Sequence, residues 1–175
     1  MAPADGRTWI VDPLDGTREF GEHDRDDWAV HIALAEGGRL VAGAVALPAR
    51  GVVYATDAPP VPPAPASRRP RIAVSRTRPP AQAEQLAELL GGELVPMGSA
   101  GAKTMAVVEG AVDAYVHAGG QYVWDSAAPV AVALASGLHA SRLDGSALDY
   151  SAETWLPDLV VCRPDDRDRV LAALG

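Results

Sequence analysis

Two aspartates near the start of the chain, Asp12 and Asp15, have the spacing of a cation site. They belong to the segment Asp-Pro-Leu-Asp-Gly-Thr over residues 12–17, which directly follows the apolar run 7–11. Two carboxylates at this spacing, with a proline between them, can converge on one point that the carbonyl oxygen of Leu14 also reaches. Because Mg²⁺ prefers such oxygen ligands, the segment predicts a magnesium site at the end of a strand.

The residues that complete this segment, Gly16 and Thr17, favour phosphate binding. Glycine permits a positive φ or a close backbone approach, so both backbone amides can face an anion at the start of a helical turn. The spacing fits neither a calcium-binding EF-hand loop nor the D-x-D-x-T motif of aspartyl-nucleophile phosphatases. A surface turn rich in Asp, Pro and Gly stays open as the alternative interpretation.

A further carboxylate, Asp125, follows Trp124 at the start of an apolar helix predicted over 125–136. Its position favours capping or a place in the first turn of that helix. The functional interpretation, which is compatible with capping, is a third metal-facing carboxylate at a helix N-terminus. Trp124 is predicted to be a packing anchor.

Ser99 and Lys103 lie where a loop of small residues, Gly-Ser-Ala-Gly-Ala-Lys over 98–103, leads into another predicted helix. Backbone amides at a helix start, together with a lysine in the first turn, make an anion site. The alternative is a solvated lysine on a helix surface. Two other features are predicted to be structural: His31 in an otherwise apolar strand, and a solvated loop over 24–27.

The elements that must position these residues change in character along the chain. The first part, residues 1–57, is predicted to be an antiparallel meander of about four strands that forms an N-terminal lobe. A proline-rich linker follows over 58–70. Strands and helices then alternate over 71–175, with 139–143 and 147–150 flanking a turn, which predicts a C-terminal α/β lobe and the fold class α/β (α+β).

The composition excludes several functional classes. The 175 residues carry a net charge of −8, and no Lys/Arg stripe is interleaved with aromatic residues, which argues against nucleic-acid binding. No apolar run approaches the roughly 18 residues of a membrane span, and no signal peptide is expected. Since Cys162 is the single cysteine, a cytoplasmic location is expected, and Cys162 is predicted to be a buried apolar residue.

Two motifs, in this order and at this separation, carry a specific resemblance. Residues 9–17 resemble the first metal motif of the inositol monophosphatase superfamily, and residues 124–129 with the following Ala/Val helix resemble its second motif. The segment after the first motif, the loop with Lys103 and the segment 143–150 look like the CysQ subgroup, whose members dephosphorylate 3'-phosphoadenosine 5'-phosphate. The similarity extends over essentially the whole chain and implies a layered αβαβα sandwich.

The resemblance also implies roles for individual residues. Mg²⁺ would be bound by Asp12, Asp15, Asp125 and the Leu14 carbonyl. Asp12 and Thr17 would be catalytic, with the Thr17 hydroxyl orienting a water molecule for direct in-line attack. The implied substrate-binding set is Leu14, Asp15, Gly16, Thr17, Ser99, Lys103 and Asp125.

The family also has an N-terminal helical region before the first motif. That region carries an acidic pair that supplies another metal ligand, and an aspartate that activates water together with the threonine. Residues 1–11 contain neither, so the sandwich is expected to lack this layer, either because the start site is misplaced or because the chain is a fragment. An uncovered, apolar sheet face and a lower rate are the expected consequences.

The functional prediction is a Mg²⁺-dependent phosphomonoesterase that hydrolyses 3'-phosphoadenosine 5'-phosphate to AMP and phosphate. Inositol monophosphate and fructose 1,6-bisphosphate are alternative substrates, since substrate choice depends on loop shape. A catalytically inactive fragment with the same fold is the third interpretation. The expected partner is a small phosphorylated nucleotide or sugar, without nucleic acid or membrane, and a homodimer is an expectation from the family.

Overall fold

The computed structural model describes residues 6–65, 69–151 and 154–175, and its first part is an antiparallel sheet of four strands. The strands are β1 (Arg7–Asp15), β2 (Ala29–Glu36), β3 (Arg39–Leu47) and β4 (Val52–Ala55). They pair in chain order, which confirms the predicted meander. Buried and more exposed residues alternate along β2, the pattern of a strand with one covered face.

Strands and helices alternate in the rest of the chain, as the sequence predicts. The strands of the second sheet are β5 (Arg71–Ser75), β6 (Glu93–Met97), β7 (Ala114–Tyr122), β8 (His139–Ser141) and β9 (Trp155–Cys162). The helices that alternate with these strands are α2 (Ala81–Leu90), α3 (Ala100–Val108), α4 (Val123–Ala135) and α5 (Arg167–Leu174). A single helical turn, α1 (Thr17–Phe20), lies earlier in the chain, between β1 and β2. The strand order is β6-β5-β7-β9-β8, with β5 parallel to both its neighbours and β9 antiparallel to β7 and β8.

Helices α3 and α4 form a layer between the two sheets. Gly43 of β3 lets α4 lie close to the first sheet, because a Cβ there would be 2.7 Å from the Cβ of Ala131. On β9, Leu159 belongs to the core between the sheets, whereas Val160 packs with α2 and α5 on the other face. The resulting order of sheet, helices, sheet, helices confirms the predicted sandwich, and its main core joins residues of both predicted lobes.

Some element boundaries differ from the sequence prediction. Strands β7 and β9 are longer than the strands that the sequence predicts over 114–117 and 159–162, because they continue to pair beyond an irregularity between Ala118 and Gln121 that contains two glycines at positive φ. The segment 147–150 contains no strand. Helix α4 begins at Val123, two residues earlier than predicted, so Asp125 is its third residue and lies in the first turn, one of the two positions that the sequence allows.

One face of the first sheet presents exposed apolar side chains. The exposed fraction is 65% for Trp9, 45% for Ile32 and 64% for Val53. Val11, 49% exposed, pairs with Ile32 on the neighbouring strand, so these side chains form a continuous surface. An exposed apolar face agrees with the expectation from the sequence. Among the residues described, no helix is long and apolar enough to cross a membrane.

Candidate active site

A bulge at the end of β1 brings Asp12 and Asp15 to the same side of the sheet. Asp12 pairs with His31 and Asp15 with Ala29, so residues 13–14 of β1 lie opposite a single residue of β2. In a regular strand, two residues at this spacing would point to opposite faces. The extra residue of the bulge turns both carboxylates toward the covered face, where they are buried.

Asp125 reaches these two carboxylates from the first turn of α4. One carboxylate oxygen from each of Asp12, Asp15 and Asp125 lies within 4.8 Å of the other two. Oδ2 of Asp125 also accepts a hydrogen bond of 2.9 Å from the backbone N–H of Tyr122, so this carboxylate belongs to the capping box of α4 as well as to the cluster. The structure thus brings together the three predicted aspartates, and the alternative of a simple surface turn over 12–17 is wrong.

Burial and neighbouring carboxylates disfavour the ionised forms of Asp12 and Asp125. Burial, followed by the charges of Asp15 and Asp12, raises the pKa of Asp125 to about 6. Burial also raises the pKa of Asp12, although the N–H of Leu14 donates to it at 3.0 Å and opposes the rise. A divalent cation would relieve this repulsion, and the donors are the hard oxygens that Mg²⁺ prefers. The residues present therefore fit such an ion.

The turn after the bulge is shaped by Gly16, which has a φ of +84° and precedes the single turn of α1. A Cβ at this position would lie 3.2 Å from the Cβ atoms of both Ser99 and Trp28, so the positive φ favours glycine and a side chain would have little room. The Thr17 hydroxyl donates to the carbonyl oxygen of Leu14 at 3.3 Å. This bond uses the hydroxyl hydrogen and leaves its oxygen available as an acceptor.

Ser99 caps α3 and orients Asp15. Its hydroxyl donates to Oδ2 of Asp15 at 2.5 Å and accepts from the N–H of Ala102 at 3.0 Å. The N–H of Gly101 donates to the same carboxylate oxygen at 2.8 Å. Ser99 adopts a φ of +42°, which is uncommon for a residue other than glycine and is a form of strain often found at functional sites. Its contact with substrate stays a prediction.

Lys103 is buried, so the alternative of a solvated lysine is wrong. Its Nζ donates to the carbonyl oxygens of Gly98 and Ser99 at 3.0 and 2.8 Å, and lies 5.2 Å from the centre of the Tyr115 ring. Burial lowers the pKa of Lys103 to about 8, although the charge of Asp15 opposes this shift. A cation therefore stands beside the aspartate cluster at neutral pH.

Two adjoining cavities lie beside this cluster. The first, of about 280 Å³, is lined by Asp15 and Asp125 and by the rings of Tyr122 and Trp155. The second, of about 260 Å³, is lined in part by Thr17, Arg18 and Arg76. Four residues line both cavities: Ser75, Arg78, Ser99 and Lys103. The carboxylates therefore open onto a space that also has basic groups and aromatic rings.

Sequence reasoning missed the residues that hold α1 and the 98–103 loop in place. Glu19 is buried and accepts a hydrogen bond of 2.6 Å from Nε of Arg76, which also bonds to Glu22 at 2.5 Å. Asp27 is buried and accepts from the N–H of Gly98 at 2.5 Å, so the prediction of a solvated loop is wrong for Asp27. No local motif signals these pairs, because the partners are distant in the sequence.

Residues 1–173 match the profile of the inositol monophosphatase family. The chain belongs to this family. Among its relatives, the 3'-phosphoadenosine 5'-phosphate phosphatase of Mycobacterium bovis is 55% identical over 178 residues, which cover 97% of this chain and 67% of the relative. The 3'(2'),5'-bisphosphate nucleotidase CysQ of Escherichia coli is 32% identical over 164 residues, which cover 83% of this chain and 63% of that relative. The chain thus spans about two thirds of the length of these relatives.

Solved structures of inositol monophosphatases share this fold. Inositol monophosphatase II from Staphylococcus aureus has a TM-score of 0.80 and 23% identity, covering 98% of this chain and 68% of that structure. The inositol monophosphatase from Zymomonas mobilis has a TM-score of 0.79 and 22% identity, covering 99% and 72%. This agreement over nearly the whole chain confirms the predicted fold class.

Proposed function

We propose that this member of the inositol monophosphatase family is a Mg²⁺-dependent phosphomonoesterase that hydrolyses 3'-phosphoadenosine 5'-phosphate to AMP and phosphate. The proposal depends on one observation: Asp12, Asp15 and Asp125 converge beside a cavity that has both basic groups and exposed aromatic rings. A bisphosphorylated nucleotide offers a complementary group to each of these features. The name of the 55% identical relative supports the same substrate.

Different residues of this chain would bind the metal ion, orient the water and bind the scissile phosphate. Asp12, Asp15, Asp125 and the Leu14 carbonyl would hold Mg²⁺, which when bound polarises a phosphoryl oxygen and lowers the pKa of water. The Thr17 hydroxyl, whose hydrogen points to Leu14, would accept a hydrogen bond from the attacking water and orient it. The backbone amides of Gly16 and Thr17 would bind phosphoryl oxygens.

Groups on the cavity wall favour a nucleotide over a compact sugar phosphate. Tyr122 and Trp155 are both exposed, and their rings meet edge to face with centres 5.0 Å apart. An exposed ring lets a nucleobase stack on it, which is worth about 1–3 kcal/mol. Arg78 is exposed where the two cavities meet, and a guanidinium suits a second phosphate. The base would therefore lie against Tyr122 and Trp155, and the 5'-phosphate against Arg78.

Phosphate release from three substrates tests this proposal. We expect predominant turnover of 3'-phosphoadenosine 5'-phosphate over inositol 1-phosphate and fructose 1,6-bisphosphate, with Mg²⁺ but not with EDTA. The Asp125→Asn variant, which removes a charge at constant volume, should lose activity by at least about 100-fold. Predominant turnover of a sugar phosphate would contradict the nucleotide assignment, and activity in EDTA would contradict the metal requirement. Absence of turnover would favour the inactive alternative.

We further propose a cytoplasmic location and a homodimer. Cys162 is buried and free, and burial raises the pKa of its thiol to about 12, so it is unreactive, which suits a reducing compartment. The homodimer follows from the family resemblance alone. Analytical ultracentrifugation would test it, and a monomer at all concentrations would contradict it.

A further inference from the structure

One fully buried polar side chain, His31, contacts both segments that carry the aspartates. It lies on β2, opposite Asp12 in the strand register, and is 0% exposed. Its Nδ1 is 3.1 Å from the carbonyl oxygen of Trp124, the residue before Asp125. Its Nε2 is 3.4 Å from Oδ2 of Asp15. A single ring therefore joins two segments that are far apart in the sequence.

The two contacts of His31 differ in kind. A carbonyl oxygen only accepts, so Nδ1 must carry a hydrogen to bond with Trp124. Nε2 has no hydrogen-bond partner among the residues that the structure describes, and its 3.4 Å contact with Oδ2 of Asp15 is an ion pair only when both ring nitrogens carry a hydrogen. Oδ2 of Asp15 already accepts from Ser99 and Gly101. That oxygen therefore has little remaining capacity, which leaves the second oxygen of Asp15 as the freer ligand for a cation.

The structure keeps space for this ring at Gly101. A Cβ at this position would lie 2.1 Å from Nε2 and 3.0 Å from Cε1 of His31. An apolar side chain on β2 would satisfy the packing of the surrounding core without placing a polar group there. Because burial of a polar ring is unfavourable unless its contacts compensate, the imidazole at this position has a role that packing alone does not explain.

We propose that His31 is a positioning residue that holds Asp15 and the start of α4 in register, so that the three carboxylates are arranged before a metal ion binds. This inference rests on the metal site of the proposed function. His31 acts through Asp15 and through the backbone at Trp124, without touching the substrate. Partners of this kind, one shell beyond the metal ligands, typically change metal affinity by about 10- to 100-fold.

Amide hydrogen exchange in the metal-free protein tests the positioning role. His31→Phe should speed exchange by about tenfold or more in both segments, residues 14–18 and 123–126. Val45→Ala is the matched control, because Val45 pairs with His31 in the sheet, is also 0% exposed and lies in the same core. Val45→Ala should lower the melting temperature without selectively speeding amide exchange in those two segments. Unchanged protection in His31→Phe, or an equal selective loss in Val45→Ala, would overturn the proposal.

Two conservative variants separate the contacts. The amide nitrogen of His31→Asn takes the place of Nδ1 and should keep the protection of residues 123–126 only. The side chain of His31→Gln fills the place of Nε2 beside Asp15 and should keep the protection of residues 14–18 only. Identical exchange in both variants would contradict the assignment of one contact to each ring nitrogen.

Binding of Mn²⁺, followed by electron paramagnetic resonance, provides a second measurement without substrate. His31→Phe should raise the dissociation constant by about 10- to 100-fold, and Val45→Ala should leave it within about twofold of the parent. A His31→Phe constant within twofold of the parent would overturn the proposal. If the parent itself does not bind Mn²⁺, the proposed function fails, whereas the exchange comparison still decides whether His31 joins the two segments.

Discussion

Asp125 serves both the helix that carries it and the candidate site. As the third residue of α4 it accepts the N–H of Tyr122, a contact that stabilises the first turn. As one of three clustered carboxylates it is held in an environment that disfavours its charge. Functional sites commonly combine such opposing demands, because groups that bind a cation must be brought together before the cation arrives.

Replacement of Asp125 should therefore stabilise the metal-free protein while it abolishes function. A carboxyl whose pKa is raised by folding to about 6 contributes stability below its unfolded value of 3.8 and loses it as the pH rises through about 6. Asn keeps an acceptor for the N–H of Tyr122 but carries no charge. At a pH well above the raised pKa, we expect the free energy of unfolding of metal-free Asp125→Asn to exceed that of the parent by about 1–2 kcal/mol.

Urea unfolding in EDTA, near pH 4 and near pH 8, measures this difference. The gain should be small at the lower pH, where the parent carboxyl is protonated in the folded state, and full at the higher pH. A parent that is more stable than Asp125→Asn at the higher pH would show that the three carboxylates do not repel one another as proposed.

Lys103 should give a pH dependence of the opposite sign. Its pKa falls from 10.5 to about 8 on folding, so between these values the unfolded chain holds a proton that the folded protein has released. Stability contributed by this group therefore rises with pH across that window, by on the order of 2–3 kcal/mol. The amount by which the free energy of unfolding of Lys103→Met exceeds that of the parent should become smaller as the pH is raised from 7.5 to 10. An advantage that does not vary with pH would contradict the burial of a charged amine.

The single turn of α1 depends on contacts from other elements, since so short a helix is not stable alone. Glu19 anchors it to Arg76, the residue after β5, and Arg76 also bonds to Glu22. Arg76→Gln would leave the buried Glu19 carboxylate without its cation. We expect a lower free energy of unfolding and faster amide exchange over residues 17–22.

Arg78 provides the matched control for this loss, because it lies on the same loop but is exposed. Arg78→Gln should change the free energy of unfolding by less than about 0.5 kcal/mol. If Arg76→Gln and Arg78→Gln destabilise the protein equally, the ion pair with Glu19 is not what holds α1.

The loop between β5 and α2 also carries the expected preference for two phosphates. Arg78→Gln should raise KM for 3'-phosphoadenosine 5'-phosphate by about tenfold, because one charge-assisted contact with the 5'-phosphate is lost. KM for inositol 1-phosphate, which has one phosphate, should change little. Steady-state kinetics with both substrates measure this difference, and an equal rise for both would exclude a specific role in binding the second phosphate.

At the scale of the whole molecule, the two sheets differ in how their faces are covered. The second sheet is packed by helices on both faces, whereas the first sheet presents Trp9, Ile32 and Val53 on its exposed face. Contiguous apolar surface of this kind promotes association. Ile32→Thr combined with Val53→Thr should reduce binding of the dye ANS and concentration-dependent light scattering. Unchanged scattering in this variant would show that association does not involve this face.

Much of the fold was predictable because its signals are local. Alternation of apolar residues, turn glycines and prolines indicated the strands of the first sheet and most later elements within a few residues. The extended ends of β7 and β9 were not predicted, because Gly119 and Gly120 resemble a loop, and the strand continues only because Gln121 and Tyr122 pair with β9 beyond them. Segment 147–150 follows the turn, as the sequence predicts, and forms no strand.

The candidate site likewise combines features that the local sequence predicts with features that only the folded structure sets. Residue type and spacing identified Asp12, Asp15 and Asp125 as oxygen donors, because a carboxylate side chain offers oxygen ligands whatever its surroundings. Contacts across the molecule set their common orientation: the bulge beside β2 turns Asp15 inward, and His31 and Ser99 reach it from other elements. Such contacts depend on which distant segments the core packs together, and no local pattern in the sequence encodes that arrangement.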